Sequence, residues 1–157
     1  MPHILIVEDE PTTSWALAEG LSDDGFTIDT FRTAEEAWRW LQGSRSDLVI
    51  SDLRLPGMSG LDLAKKLRRG RHAQPVIIVT AYGSSDTLRE LREAGIADCF
   101  SKPFRMDHLR QAVHQALAPA PPLRVVPAPK RSARPARAAR VSSSSRSTRT
   151  TRSRRAA

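Results

Sequence analysis

Apolar residues in this chain fall into short unbroken runs separated by stretches with helical spacing. His3-Ile4-Leu5-Ile6-Val7 is continuous and closed by acids, the pattern of a strand buried on both faces. Pro11 suits the first turn of a helix, Leu17 and Leu21 with Ser14 and Ala18 give it an inner face, and Gly25 closes it. Phe26 to Phe31 alternates at period two, as in a strand nearer a sheet edge. Thr33 caps the next helix, with Glu36 as its capping-box partner, and Ala37, Trp38 and Leu41 carry it to Gly43.

The second half repeats the alternation. Leu48-Val49-Ile50-Ser51 is a third buried strand, followed by a loop broken by Pro56 and Gly57 and a helix from Gly60 to about Arg71. Pro75 to Thr80 is a fourth strand with proline at its tolerated first position. Ser84-Ser85 caps a helix that turns Leu88 and Leu91 inward and stops at Gly95. Asp98 to Ser101 is a short fifth strand, Lys102-Pro103-Phe104 a turn, and Leu109, Val113 and Leu117 mark a last helix. Five strands alternating with five helices predict a flavodoxin-like α/β fold, doubly wound, with a parallel sheet of order 2-1-3-4-5.

Composition changes the picture after residue 118. The whole chain of 157 residues carries a net charge of +8, which averages two unlike pieces. All 17 acids lie in residues 1–118 beside 14 Lys and Arg, while residues 119–157 hold the other 11 cations and no acid. The first piece is therefore expected to be a mildly acidic folded domain. The second, rich in Pro, Ala, Ser and Arg with few branched apolar residues, is expected to be a disordered basic tail. No run is long enough for a membrane span and no signal peptide is apparent. The one cysteine, Cys99, allows no internal disulfide, and a reducing cytoplasm is the expected home.

The candidate chemistry gathers at one sheet edge. With strands ordered 2-1-3-4-5, Glu8 and Asp9 follow the first strand, Asp52 ends the third, Thr80 ends the fourth and Lys102 follows the fifth. Asp52 alone would read equally well as an acid capping a helix. Three clustered carboxylates, however, either take up protons or recruit a cation, and oxygen-only ligands suit magnesium. A magnesium ion can clamp a phosphoryl group, with a hydroxyl and a lysine to hold its remaining oxygens.

The succession ILIVEDE, SDLRLPGMSG, VIIVTAYGSSDT and CFSKPF resembles the receiver domain of two-component response regulators, over residues 3 to 118. It is most similar to receivers of the nitrogen-regulator type, which usually precede an ATPase acting on sigma-54 polymerase. The resemblance implies that Asp52 is the phosphoacceptor and that Asp9 is the direct Mg2+ ligand. It implies that Glu8 acts through water and that the Arg54 backbone carbonyl completes the set. Thr80 would be the switch hydroxyl, Lys102 the phosphoryl-binding lysine, and Lys102-Pro103 a cis peptide. Such a domain is a phosphoacceptor that assists its own phosphorylation and dephosphorylation, rather than an independent enzyme. Its implied partners are a sensor histidine kinase or phosphotransfer protein and a second receiver in a homodimer. Its implied output is the face made by the fourth strand, fourth helix, fifth strand and fifth helix.

One position departs from the family. Three residues before the lysine, where the family carries Tyr or Phe, stands Cys99, with Phe100 on the opposite face of the strand. A ring-swinging relay at that switch position is therefore not expected, and Cys99 reads as a small apolar residue. Glu10 reads as solvated, and the four histidines show no metal-ligand spacing. No Walker A loop or helix-turn-helix motif follows residue 118. Two alternatives stand for the tail: an arm binding nucleic acid or an acidic partner through charge alone, or the product of a truncated or frame-shifted regulator.

Overall fold

The computed structural model describes residues 1–119 apart from 71, 73 and 82; the tail expected to be disordered lies, from residue 120 on, outside the described residues. The elements follow the order β1 His3–Val7, α1 Pro11–Ser22, β2 Thr27–Phe31, α2 Ala34–Leu41, β3 Leu48–Asp52, α3 Gly60–Arg69, β4 Val76–Thr80, α4 Ser85–Glu93, β5 Asp98–Ser101 and α5 Met106–Leu117. All strand pairs are parallel, in the order β2-β1-β3-β4-β5. This is the flavodoxin-like arrangement that the alternating pattern predicts.

The uninterrupted apolar runs of β1, β3 and β4 follow from burial on both faces. Successive strand residues point to opposite sides. On one side Leu5, Val7, Val49 and Ile78 pack with Ala37, Leu41, Leu63, Leu67 and Leu91 of α2, α3 and α4. On the other, Ile4, Ile6, Ile50, Ile77 and Val79 pack with Leu17, Leu21, Leu109 and Val113 of α1 and α5. The sheet thus separates two cores, and its edge strand β2 is partly exposed as expected but does not hold to the expected alternation, since Ile28 packs on one core and Phe31 on the other.

Helix ends depart from expectation in instructive ways. At α2 the Thr33 hydroxyl accepts the Glu36 N–H at 3.2 Å, half of the expected capping box. The complete box lies at α3, where Ser59 Oγ accepts the Asp62 N–H at 3.1 Å and Asp62 Oδ2 accepts the Ser59 N–H at 3.2 Å. Helix α3 ends at Arg69, two residues before the expected stop, with Gly70 as its cap. Leu91 is fully buried in α4, whereas Leu88, expected beside it, is only half-buried.

Candidate functional site

The carboxyl ends of β1, β3 and β4 and the residue after β5 meet because the register staggers them into one shallow hollow. Val7 pairs with Ser51, Asp52 with Val79, and Thr80 with Ser101, so Glu8, Asp52, Thr80 and Lys102 emerge side by side. Backbone bonds carry the pairing past the strand ends: Leu53 N–H donates to the Val79 carbonyl at 3.2 Å, and Lys102 N–H to the Thr80 carbonyl at 2.8 Å. Glu8 is 1% exposed, Asp52 8% and Thr80 0%. The Lys102-Pro103 peptide is cis, as expected.

Lysine 102 binds the hollow together. Its ammonium donates to Glu8 Oε2 and to Asp52 Oδ2, each at 2.8 Å. The other oxygens are also engaged: Glu8 Oε1 accepts the Glu10 N–H at 3.2 Å, and Asp52 Oδ1 accepts the Arg54 N–H at 3.0 Å. Burial pushes the Glu8 carboxyl above its ordinary value, against the hydrogen bond from Lys102. Burial would lower Lys102, yet its hydrogen bonds to Asp52 and Glu8 hold it above its ordinary value.

Glu8, Asp9 and Asp52 each offer a carboxylate oxygen, all within 4.8 Å of one another. Three hard oxygen donors that close, with an open side toward solvent at half-buried Asp9, fit a hard divalent cation and no soft metal. Such an ion would relieve the mutual repulsion that one lysine only partly offsets.

Cys99 lies opposite Ile78 in the register and packs partly buried against the core that holds Leu91 and Ile78. Phe100 faces the other core, its ring 6.3 Å from that of Phe104. No ring therefore occupies the position three residues before Lys102 on the α4 side. Burial, with Asp98 beside it, pushes the Cys99 thiol up, so it stays protonated near neutral pH.

Several supporting residues escape a reading of the sequence. Glu10 is exposed, as expected, but it also caps α1, accepting the N–H groups of Thr12 at 3.1 Å and Thr13 at 2.6 Å. Those bonds, Thr13 first, lower its carboxyl to about 2. Gly60 has no room for a side chain, since a Cβ would meet the Asp52 carbonyl and Ser51 Oγ. Glu35 reaches from α2 to the Met58 N–H at 2.6 Å. The spacing Ser59-x-x-Asp62 is a readable capping signal; Glu35 leaves no local signal at all.

The comparisons agree with this geometry. The model of the response regulator receiver domain matches residues 4–114. The chain is 38% identical over 108 residues to the transcriptional regulatory protein TcrA of Mycobacterium tuberculosis, covering 68% of this chain and 42% of that one. It is 32% identical over 115 residues to the DNA-binding transcriptional regulator NtrC of Escherichia coli, covering 73% and 24%. It therefore spans less than half the length of either relative. A CheY-like response regulator receiver domain protein from Methanospirillum hungatei superposes with a TM-score of 0.71 at 26% identity, over 74% of this chain and 94% of that one. With a five-stranded 2-1-3-4-5 sheet whose strand ends gather an acidic cluster, the chain belongs to the response regulator receiver domain family.

Proposed function

We propose that Asp52 accepts a phosphoryl group from a phosphohistidine on a sensor kinase or phosphotransfer protein. The observation that carries this reading is the Lys102 ammonium, 2.8 Å from both Asp52 and Glu8 in an otherwise acidic hollow. An Asp52 carboxylate oxygen attacks phosphorus, the P–O bond forms, and the P–N bond breaks with its electron pair returning to the imidazole nitrogen. Glu8, Asp9, Asp52 and the Arg54 carbonyl would hold Mg2+, which when bound neutralises charge on the transferring group. Lys102 supplies a point charge to a phosphoryl oxygen, and the Thr80 hydroxyl a hydrogen bond. Later attack of water on phosphorus frees phosphate and restores the carboxylate.

The output of phosphorylation is a change in the surface of β4, α4, β5 and α5. Thr80, drawn toward the phosphoryl group, moves the end of β4, and Cys99, opposite Ile78 on β5, offers a thiol in place of a ring. The cytoplasm is the fitting compartment for a soluble phosphohistidine donor; among the described residues no helix is long and apolar enough to cross a membrane.

Incubation of the full chain with acetyl phosphate and Mg2+ should add one phosphoryl group by intact mass. Asp52→Asn should remain unmodified; a modified Asp52→Asn protein overturns the assignment.

The charge partition favours a second role for residues 119–157, whose 11 cations stand without one acid. They would bind a polyanion through counterion release, with affinity falling steeply as salt rises and little preference for sequence. Removal of residues 119–157 should abolish binding to a random DNA duplex at low salt and leave phosphorylation unchanged. Failure of the full chain to bind the duplex overturns this role.

A further inference from the structure

The loop that leaves Asp52 is fastened by a third element of the fold. Between β3 and α3 the chain turns through Pro56 and Gly57, the latter at φ 79°. Its flanks hold their own ends: the Arg54 N–H donates to Asp52 Oδ1, the Gly60 N–H to the Leu53 carbonyl at 3.0 Å, and the box of Ser59 and Asp62 closes the far side. The middle is met from elsewhere. Glu35, in the first turn of α2, accepts the Met58 N–H through Oε1 at 2.6 Å, across 23 residues of sequence. The same carboxylate lies over Gly57, where a Cβ would collide with its oxygen. The Met58 N–H, more than the charge of Lys66, holds the Glu35 carboxyl below its ordinary value of 4.5. A charged acceptor at this distance makes one of the stronger kinds of hydrogen bond.

We propose that Glu35 is a positioning residue of the phosphoryl-transfer site, fixing through Met58 the loop backbone that presents the Arg54 carbonyl to the divalent cation. This rests on the reading of Asp52 as the acceptor. Glu35 itself touches neither cation nor phosphoryl group. It acts as outer-shell partners of metal ligands do, by limiting where a ligand atom can go. The neighbouring acid Glu36 is exposed, and its side chain is not part of this clamp.

The test uses the full chain and three variants: Glu35→Ala, Glu35→Gln and Glu36→Ala. Mg2+ alone is titrated against the backbone amide shifts of Arg54 and Met58, and phosphorylation by acetyl phosphate is followed as a function of Mg2+ concentration. Glu35→Ala should weaken Mg2+ binding about tenfold, the lower end of what losing an outer-shell partner does, while the rate at saturating Mg2+ recovers. Glu35→Gln keeps an acceptor oxygen and should restore most of the affinity; Glu36→Ala should match the wild type. Should Glu35→Ala fail to fold, Glu35→Asp, one methylene short of Met58, carries the same expectation. A Mg2+ affinity of Glu35→Ala within twofold of wild type, or an equal loss in Glu36→Ala, overturns the proposal. Absence of Mg2+ binding and phosphorylation in the wild type would instead strike the Asp52 reading.

Discussion

Lys102 shows how much one side chain can be asked to hold. It joins β5 to two acids buried at the ends of β1 and β3. Lys102→Met leaves Glu8 and Asp52 facing each other without a cation, a loss of about 3 kcal/mol at neutral pH by analogy with other broken buried pairs. The sign of its pH dependence follows from the shifts. Lys102, raised by its partners, contributes stability below its ordinary 10.5 that is lost as pH rises through its folded value. Glu8, raised by burial, prefers to be protonated in the fold, so its ionisation above 4.5 costs stability. Without the lysine that cost grows. The destabilisation of Lys102→Met, read by urea unfolding without divalent cations, should shrink between pH 7 and pH 4; an equal loss at both would contradict this account. Acid identities and order were legible in the sequence because each follows a strand signal. The double engagement of Lys102 was not, since it depends on how far each strand end projects.

Among the elements, β3 with its following loop is the least tolerant of change. Ser51 Oγ donates to the Asp52 carbonyl at 2.9 Å, and Gly60 packs against both. Gly60→Ala should cost about 2 kcal/mol, because the obstruction is backbone that cannot rotate away. It should also slow phosphorylation by acetyl phosphate, since relief of the clash must move Asp52; a variant of wild-type stability and rate would show the loop to be more pliant than this. The apolar runs made β1, β3 and β4 readable, and turn residues made the helices readable. The position of the reciprocal capping box is not decided by the sequence pattern, because Thr33 and Ser59 both carry an acid three residues on. At α3 the short Asp62 reaches back to the cap, whereas at α2 Glu36 stays exposed. Glu35 could not be anticipated, because its partner lies in a loop that only the folded sheet brings to the start of α2.

For the molecule as a whole, a cation held by the acidic hollow would bind the folded state alone and so would stabilise the fold. At a hundred times its dissociation constant Mg2+ should add about 2.7 kcal/mol. Asp9→Ala should lose most of that increment in a thermal unfolding experiment, and an undiminished increment would remove Asp9 from the ligand set. The overall topology was legible because alternating strands and helices with short connections leave few arrangements open. The relation between Cys99 and its surroundings was legible only as a parity of faces; the packing of Phe100 on Phe104 needed the cores themselves. The Lys102 bridge has a further consequence, in time rather than in space. It spans 94 residues to Glu8 and 50 to Asp52, the first of these among the longest side-chain closures of the described residues. Contacts of such separation form late, after the loops between them have been closed. A nascent chain that has not yet reached β5 carries the three acids of the hollow without Lys102 to neutralise them. Competence to receive phosphate therefore arrives with the last strand, and an incompletely folded receiver has no assembled hollow with which to intercept the signal.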